Sequence, residues 1–145
     1  MQIKDVMTKN VQVIAPDASI VEAARMMKEQ DTGFLPVCDG NKILGSVTDR
    51  DIVIRAIAQG LNAENTPVRS AMSAGISWCF DSDDVTEAAE KMKDGKIRRL
   101  VVVDQSKKLV GVISLGDLAT DVGDRSIKAE TLTEISKPGH NPDMA

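Results

Sequence analysis

The chain has 145 residues, 42% hydrophobic and 28% charged, with a net charge of −4 and a pI near 5.0. That length suits one ordinary core, or two small half-domains sharing one, and the composition is that of a folded chain. An acidic chain with no Tyr, one Trp and two Phe lacks the basic, aromatic-bearing face of a nucleic-acid binder, and attachment to an anionic membrane is not expected either.

The start, MQIKDVMTKN, carries Lys4 and Asp5 and no apolar core, so it does not read as a signal peptide. No apolar run approaches the ~18 residues that span a bilayer. The expected setting is the cytoplasm. Cys38 and Cys79 sit inside apolar runs and read as buried free thiols. Their spacing matches no zinc pattern, and the single histidine, His140, lies in a polar tail, so no metal site is expected.

In chain order, a short apolar strand is predicted from Val11 to Ala15. A helix follows, N-capped by Ser19 with Glu22 three residues on, the spacing of a capping box. Ile20, Ala23, Ala24 and Met27 recur on one helical face, and Gly33 stops the helix. FLPVCD and KILGSVT are strands joined by a DGN hairpin turn, and a helix from Asp49 to Gln59 closes the set. GLNAENTP is a polar connector. The string then recurs: a strand from Ile76 to Phe80, and a helix capped by Asp84 with Glu87 three on. That helix carries Val85, Ala88, Ala89 and Met92 and ends near Gly95. RRLVVVD and KLVGVIS flank the turn DQSK, and a last helix runs from Leu115 to Val122. Beyond Gly123 the chain turns polar. Ile127 to Ile135 is read as one more short helix, and KPGHNPDMA as disordered.

The recurrence is residue by residue. Met7 aligns with Met72, Glu22-Ala23-Ala24 with Glu87-Ala88-Ala89, Met27-Lys28 with Met92-Lys93, Leu35 with Leu100 and Asp39 with Asp104. One inserted residue near Lys108 then brings Gly45 onto Gly111 and Asp51 onto Asp117. The expected fold is α/β (α+β): two tandem β-α-β-β-α repeats, each a small three-stranded sheet with helices on one side. Neither buries much alone, so they are expected to pack sheet to sheet with pseudo-twofold symmetry. Repeat 1 covers residues 1–60, the connector 61–66, repeat 2 residues 67–122 and the tail 123–145.

The chemistry-bearing pattern is G-x-x-T/S-x-x-D. It occurs as Gly45-Ser46-Val47-Thr48-Asp49-Arg50-Asp51 and as Gly111-Val112-Ile113-Ser114-Leu115-Gly116-Asp117, each where a strand gives way to a helix. A helix start attracts an anion such as phosphate, to which a hydroxyl can donate. A carboxylate three residues on can accept two hydrogen bonds from a vicinal diol, as a ribose presents. The plainer reading is that Thr48 and Ser114 are N-caps, with Asp51 and Asp117 as their acidic third residues. Duplication at the same fold position, with a Gly that capping does not demand, favours the ligand.

With these motifs, the Val6-Met7-Thr8 start and the Leu35-Pro36-Val37 strand, the chain resembles a CBS-domain pair, or Bateman module, over about residues 3 to 122. The resemblance implies a non-catalytic sensor that binds adenosine-containing ligands in clefts between the repeats: AMP, ADP, ATP, NAD or S-adenosylmethionine. It implies no catalytic cofactor. Carried over, Asp51 and Asp117 hold the ribose, and Thr48 and Ser114 lie by the ribose or phosphate. The second copy departs from the first, with Val101 where Pro36 stands and Gly116 where Arg50 stands, so the clefts should differ in charge.

In the family a basic residue often reaches phosphate from the start of the hairpin, which Arg98 and Arg99 open here. Alternation sends them to opposite faces, and Arg98 is the candidate. Its alternative is a solvated strand start, and Arg50 is likewise either a phosphate ligand or a surface charge. Trp78 reads as packed or at an interface, and adenine would lie between aliphatic side chains such as Ile14, Leu35 or Val37. Five methionines (Met7, Met26, Met27, Met72, Met92) read as core filler.

Two other readings stand beside the sensor: a structural adaptor without ligand, and a nucleotide-processing enzyme. No Ser/His/Asp, Cys/His or Walker-type pattern supports the enzyme. The expected partners are a second copy of the chain and an unknown effector protein. The homodimer follows from the Asp49–Gln59 helix. One stripe (Val53, Ala56, Ile57) covers its own sheet, leaving Ile52, Ile54 and Ala58 in surplus, and the closing helix of the second copy offers Leu115, Leu118, Ala119 and Val122 as a further apolar strip. The alternative is that the helix near Ile127 to Ile135 folds back over that strip.

Overall fold

A computed structural model describes residues 1–121. The expected tail helix and terminal coil, Val122 and His140 lie outside the described residues. The elements are β1 (Thr8–Lys9), α1 (Ile20–Gln30), β2 (Phe34–Asp39), β3 (Lys42–Thr48), α2 (Asp49–Ile52), β4 (Ser73–Ala74), β5 (Trp78–Phe80), α3 (Val85–Gly95), β6 (Arg99–Val103), β7 (Leu109–Ser114) and α4 (Leu115–Asp121). The fold is mixed α and β, built on two sheets.

The chain forms two compact units, and each borrows from the other repeat's sequence. One unit is Met1–Val11 together with the chain from Ser77 onward; the other is Gln12–Ile76. The first holds a four-stranded sheet in the order β1-β7-β6-β5. The second holds a three-stranded sheet, β2-β3-β4, with Ile14 bridging Val37 in parallel at its far edge. The sequence led us to expect three strands in each sheet. The additions are β1 and β4, two-residue strands near the start of one repeat that pair with the last strand of the other: Thr8 with Val112 and Lys9 with Gly111, Ser73 with Ser46 and Ala74 with Gly45. The strand expected from Val11 to Ala15 contracts to the Ile14 bridge, while its counterpart forms β5.

The borrowed segments are tied in by equivalent bonds. Ile3 and Lys4 donate to the Asp83 and Asp81 carbonyls (2.8 and 3.0 Å). Val68 and Arg69 donate to those of Ala18 and Pro16 (2.7 and 3.0 Å). Ile3 and Val6 enter one core with Leu100, Ile113 and Met92; Val68 and Ala71 enter the other with Ile20, Leu35 and Val47. Each fully buried side chain of this size contributes about 1.5–3 kcal/mol, so anchoring a short strand by one such residue is energetically sufficient.

Local chemistry sets the helices. Ser19 caps α1, its Oγ accepting from the Glu22 N–H (3.1 Å). Asp84 caps α3 differently from expectation: its Oδ1 accepts from the Thr86 N–H and hydroxyl (3.0 and 2.9 Å). A carboxylate reaches the nearer amide and takes a hydroxyl as well, which lowers the Asp84 pKa, chiefly through the Thr86 backbone bond. The helices do not stop at glycine. Asp31 (φ 51°) and Lys96 (φ 53°) take the left-handed C-cap, each donating to the carbonyls of the last turn. Gly95 is the last residue of α3.

Candidate functional site

Both copies of the motif sit at a β-strand running straight into a helix, β3 into α2 and β7 into α4. Each glycine has a steric cause. A Cβ on Gly45 would overlap the Ser73 carbonyl oxygen of β4, and one on Gly111 would lie 2.6 Å from the Thr8 carbonyl of β1 and 2.7 Å from Met7 Sδ. The glycine that capping alone did not require is thus required by the incoming short strand. Gly33 has a similar cause, since a Cβ there would press on the Asp49 carboxylate at 2.7 Å.

The hydroxyl and carboxylate form a reciprocal cap in both copies. Thr48 N–H donates to Asp51 Oδ2 (2.9 Å), and Asp51 N–H donates to Thr48 Oγ1 (3.0 Å). Ser114 N–H donates to Asp117 Oδ2 (2.9 Å), and Asp117 N–H donates to Ser114 Oγ (3.1 Å). The capping boxes expected at Ser19 and Asp84 therefore occur one helix later, at the motif itself. A hydroxyl that accepts in this way keeps its proton to give, and a carboxylate with one oxygen engaged has lone pairs on the other.

The copies differ beyond that shared frame. Asp51 is buried, 1% exposed, and Thr48 is buried too. Asp51 Oδ1 lies 3.8 Å from Arg55 Nη1. Arg55 Nη1 also donates to the Ala71 and Met72 carbonyls (3.3 and 3.0 Å) and to Ser73 Oγ (3.2 Å). Asp117 and Ser114 are half-buried. Arg50 is exposed on α2, its N–H donating to Asp49 Oδ1 (2.9 Å). Arg98 is exposed just before β6, and its carbonyl accepts from the Leu115 N–H (2.7 Å), which places it beside the second motif. Arg99, the first residue of β6, is half-buried.

The aliphatic residues expected to flank adenine are core: Ile14, Leu35 and Val37 are all buried. The unit of Gln12–Ile76 carries instead an apolar cavity of about 260 Å³ lined by Ile20, Val21, Ala24, Ile52, Ile57 and Ala63, with Arg25 and Lys28. Trp78 is 38% exposed, edge-on to Phe80 at 5.1 Å, with Lys91 Nζ 5.3 Å and Lys107 Nζ 5.9 Å from its ring centroid. Trp78 thus stands partly exposed beside side chains of its own unit. Cys38 and Cys79 are buried free thiols; burial raises both pKa values, that of Cys79 to about 12. Among the described residues no cluster of His, Cys, Asp and Glu is placed to hold a metal, and no helix is long and apolar enough to cross a membrane.

The CBS-domain family model matches residues 3–57 and 68–124, and the chain belongs to that family. It is 38% identical over 134 residues to the CBS domain-containing protein YhcV of Bacillus subtilis, covering 92% of this chain and 94% of that one. Among solved structures it is similar to CBSX2 in complex with AMP, with a TM-score of 0.68 and 27% identity over 81% of this chain and 93% of that one. It is also similar to the CBS domain pair of MJ0100 in complex with 5′-methylthioadenosine and S-adenosyl-L-methionine. There the TM-score is 0.72 and the identity 26%, over 82% of this chain and 93% of that one.

Proposed function

We propose that this chain is a non-catalytic regulatory module that binds an adenosine-containing ligand and signals its presence to an effector protein. The observation that carries the reading is the duplicated strand-to-helix junction, at which a hydroxyl and a carboxylate are held one turn apart by reciprocal bonds. The similar structures that hold AMP, or 5′-methylthioadenosine and S-adenosyl-L-methionine, share the adenosine moiety, which supports that class of ligand. Asp51 and Asp117 are the candidates for the ribose diol, Thr48 and Ser114 for the adjoining ribose or phosphate oxygens, and Arg50 and Arg98 for phosphate. No covalent step enters this reading. The ligand acts by its differential affinity for the states of the chain.

A thermal-shift panel of AMP, ADP, ATP, NAD and S-adenosylmethionine tests it. A ligand that binds only the native chain raises the melting temperature, by about 2.7 kcal/mol of added stability at a hundredfold excess over Kd. Product analysis of each hit separates binding from turnover. A panel without any shift favours the adaptor reading, which the burial of Asp51 supports at the first copy.

A further inference from the structure

The apolar cavity of the Gln12–Ile76 unit is not used by the motif chemistry. Three segments wall it: α1, the helix after β3, and the connector at Ala63. Local structure explains the space between them. The Ala58 N–H donates to the Val53 carbonyl (2.8 Å), a turn one residue wider than that of an α-helix. Ile57 ends that turn 55% exposed instead of packing into the core. Wide turns of this kind occur often at functional sites. The connector is fixed on the other side, where the Ile20 and Val21 N–H groups donate to the Thr66 and Ala63 carbonyls (3.0 and 3.2 Å). The side chains that α1 and the connector turn to the gap at Ala24 and Ala63 are methyl groups, which do not fill it.

The lining is aliphatic except for two cations, Arg25 and Lys28, both exposed. Val21, Ala24, Arg25 and Lys28 follow one another at helical spacing, so one face of α1 passes from apolar to cationic. An aliphatic wall gives no partner to the hydroxyls of a ribose, so this is not a second adenosine site. It suits a ligand with an alkyl chain and one anionic end. The chain removes apolar wall from water, and the planar guanidinium fork matches a carboxylate. Size sets the chain length. A cavity of about 150 Å³ takes the six carbons of benzene, so 260 Å³ holds roughly ten non-hydrogen atoms, those of an eight-carbon acid.

We propose that this cavity binds a free medium-chain carboxylate, its alkyl chain against Val21, Ile52 and Ile57 and its carboxylate at Arg25 and Lys28. The site is independent of the adenosine reading and stands or falls without it.

Isothermal titration of the full chain with octanoate, below its micelle concentration, tests the proposal. Saturable binding of one equivalent per chain is expected. Octanol, which lacks the charge, and butyrate, which lacks the chain, are each expected to bind about fivefold or more weakly. The double variant Arg25→Gln/Lys28→Gln is expected to bring octanoate down to the affinity of octanol and to leave octanol unchanged. Ala24→Leu, at an exposed helical position where leucine is a good helix former, fills the cavity and is expected to abolish binding of both while the chain still melts cooperatively. Octanoate that binds no more tightly than octanol, that does not saturate, or that binds folded Ala24→Leu as well as the wild type overturns the proposal. Binding seen only in Ile54→Glu, and not in the wild type, assigns the cavity to a second copy of the chain and overturns it as well.

Discussion

At Gly45 and Gly111 the chain leaves no room for a side chain, because a carbonyl of the incoming strand passes at the spot where a Cβ would stand. Gly45→Ala and Gly111→Ala are each expected to lower stability by about 1–3 kcal/mol, the range for overpacking a fixed site. The check is a urea unfolding curve with a shifted midpoint and an unchanged slope; an unshifted midpoint refutes the steric argument. Cys79 gives a second expectation. Burial holds its thiol protonated, with Lys91 opposing only in part, and lifts its pKa from 9.0 to about 12. A folded value above the unfolded one means that the stabilising contribution is present below the unfolded pKa and is lost as pH rises through the folded value. Stability is therefore expected to decline above pH 9, and alkylation of Cys79 at pH 8 to be slow until urea unfolds the chain. Rapid labelling of the native protein refutes this. The motif itself was fully legible as a pattern, but the steric need for its glycine was not. Its cause is a strand far away in sequence, which no local rule supplies.

The helices show where local rules hold and where they stop. Ser19 and Asp84 were legible as caps because a short acceptor before an apolar stripe has one helical use. Their ends were not, since Asp31 and Lys96 adopt a left-handed backbone that glycine usually takes. Asp31→Gly and Lys96→Gly are expected to raise stability by about 0.5 kcal/mol each, the relief of strain exceeding the flexibility added to the unfolded chain. Thermal melts check this, and a fall in melting temperature for both refutes it. The helix after β3 departs further. It is α-helical only over Asp49–Ile52 and continues as a π-helix over Val53–Ile57. The wider turn redirects the side chains, and the stripe expected at Val53, Ala56 and Ile57 is not the one formed. Ile52 and Ala56 are buried, with Asp51. A helical wheel of 3.6 residues per turn could not show that.

Over the whole molecule, the duplication was legible and the exchange of short strands was not. A repeat is visible in sequence because both copies keep order and register. Strands of two residues, such as β1 and β4, carry no periodicity to read. The same helix that escaped the wheel carries the expected self-association. Val53, Ile54 and Ile57 are 54%, 47% and 55% exposed, and Leu61 adds to them on the same unit. Isolated exposed aliphatics are ordinary; three from one turn of a single helix, with the apolar cavity that Ile57 also lines close by, make a patch of the kind that marks a contact. A twofold homodimer closes such a patch on itself, so that no surface remains to propagate the assembly. The residues at issue differ from those the sequence named, Val53 and Ile57 joining Ile54 outside the core while Ile52 turns inward, but the surplus of apolar surface is the same. Light scattering at micromolar concentration is expected to give about twice 15.6 kDa, and Ile54→Glu to return the mass to the monomer value by placing two like charges across the twofold. A wild-type mass near 15.6 kDa refutes the dimer, and a dimer that survives Ile54→Glu places the contact on another surface.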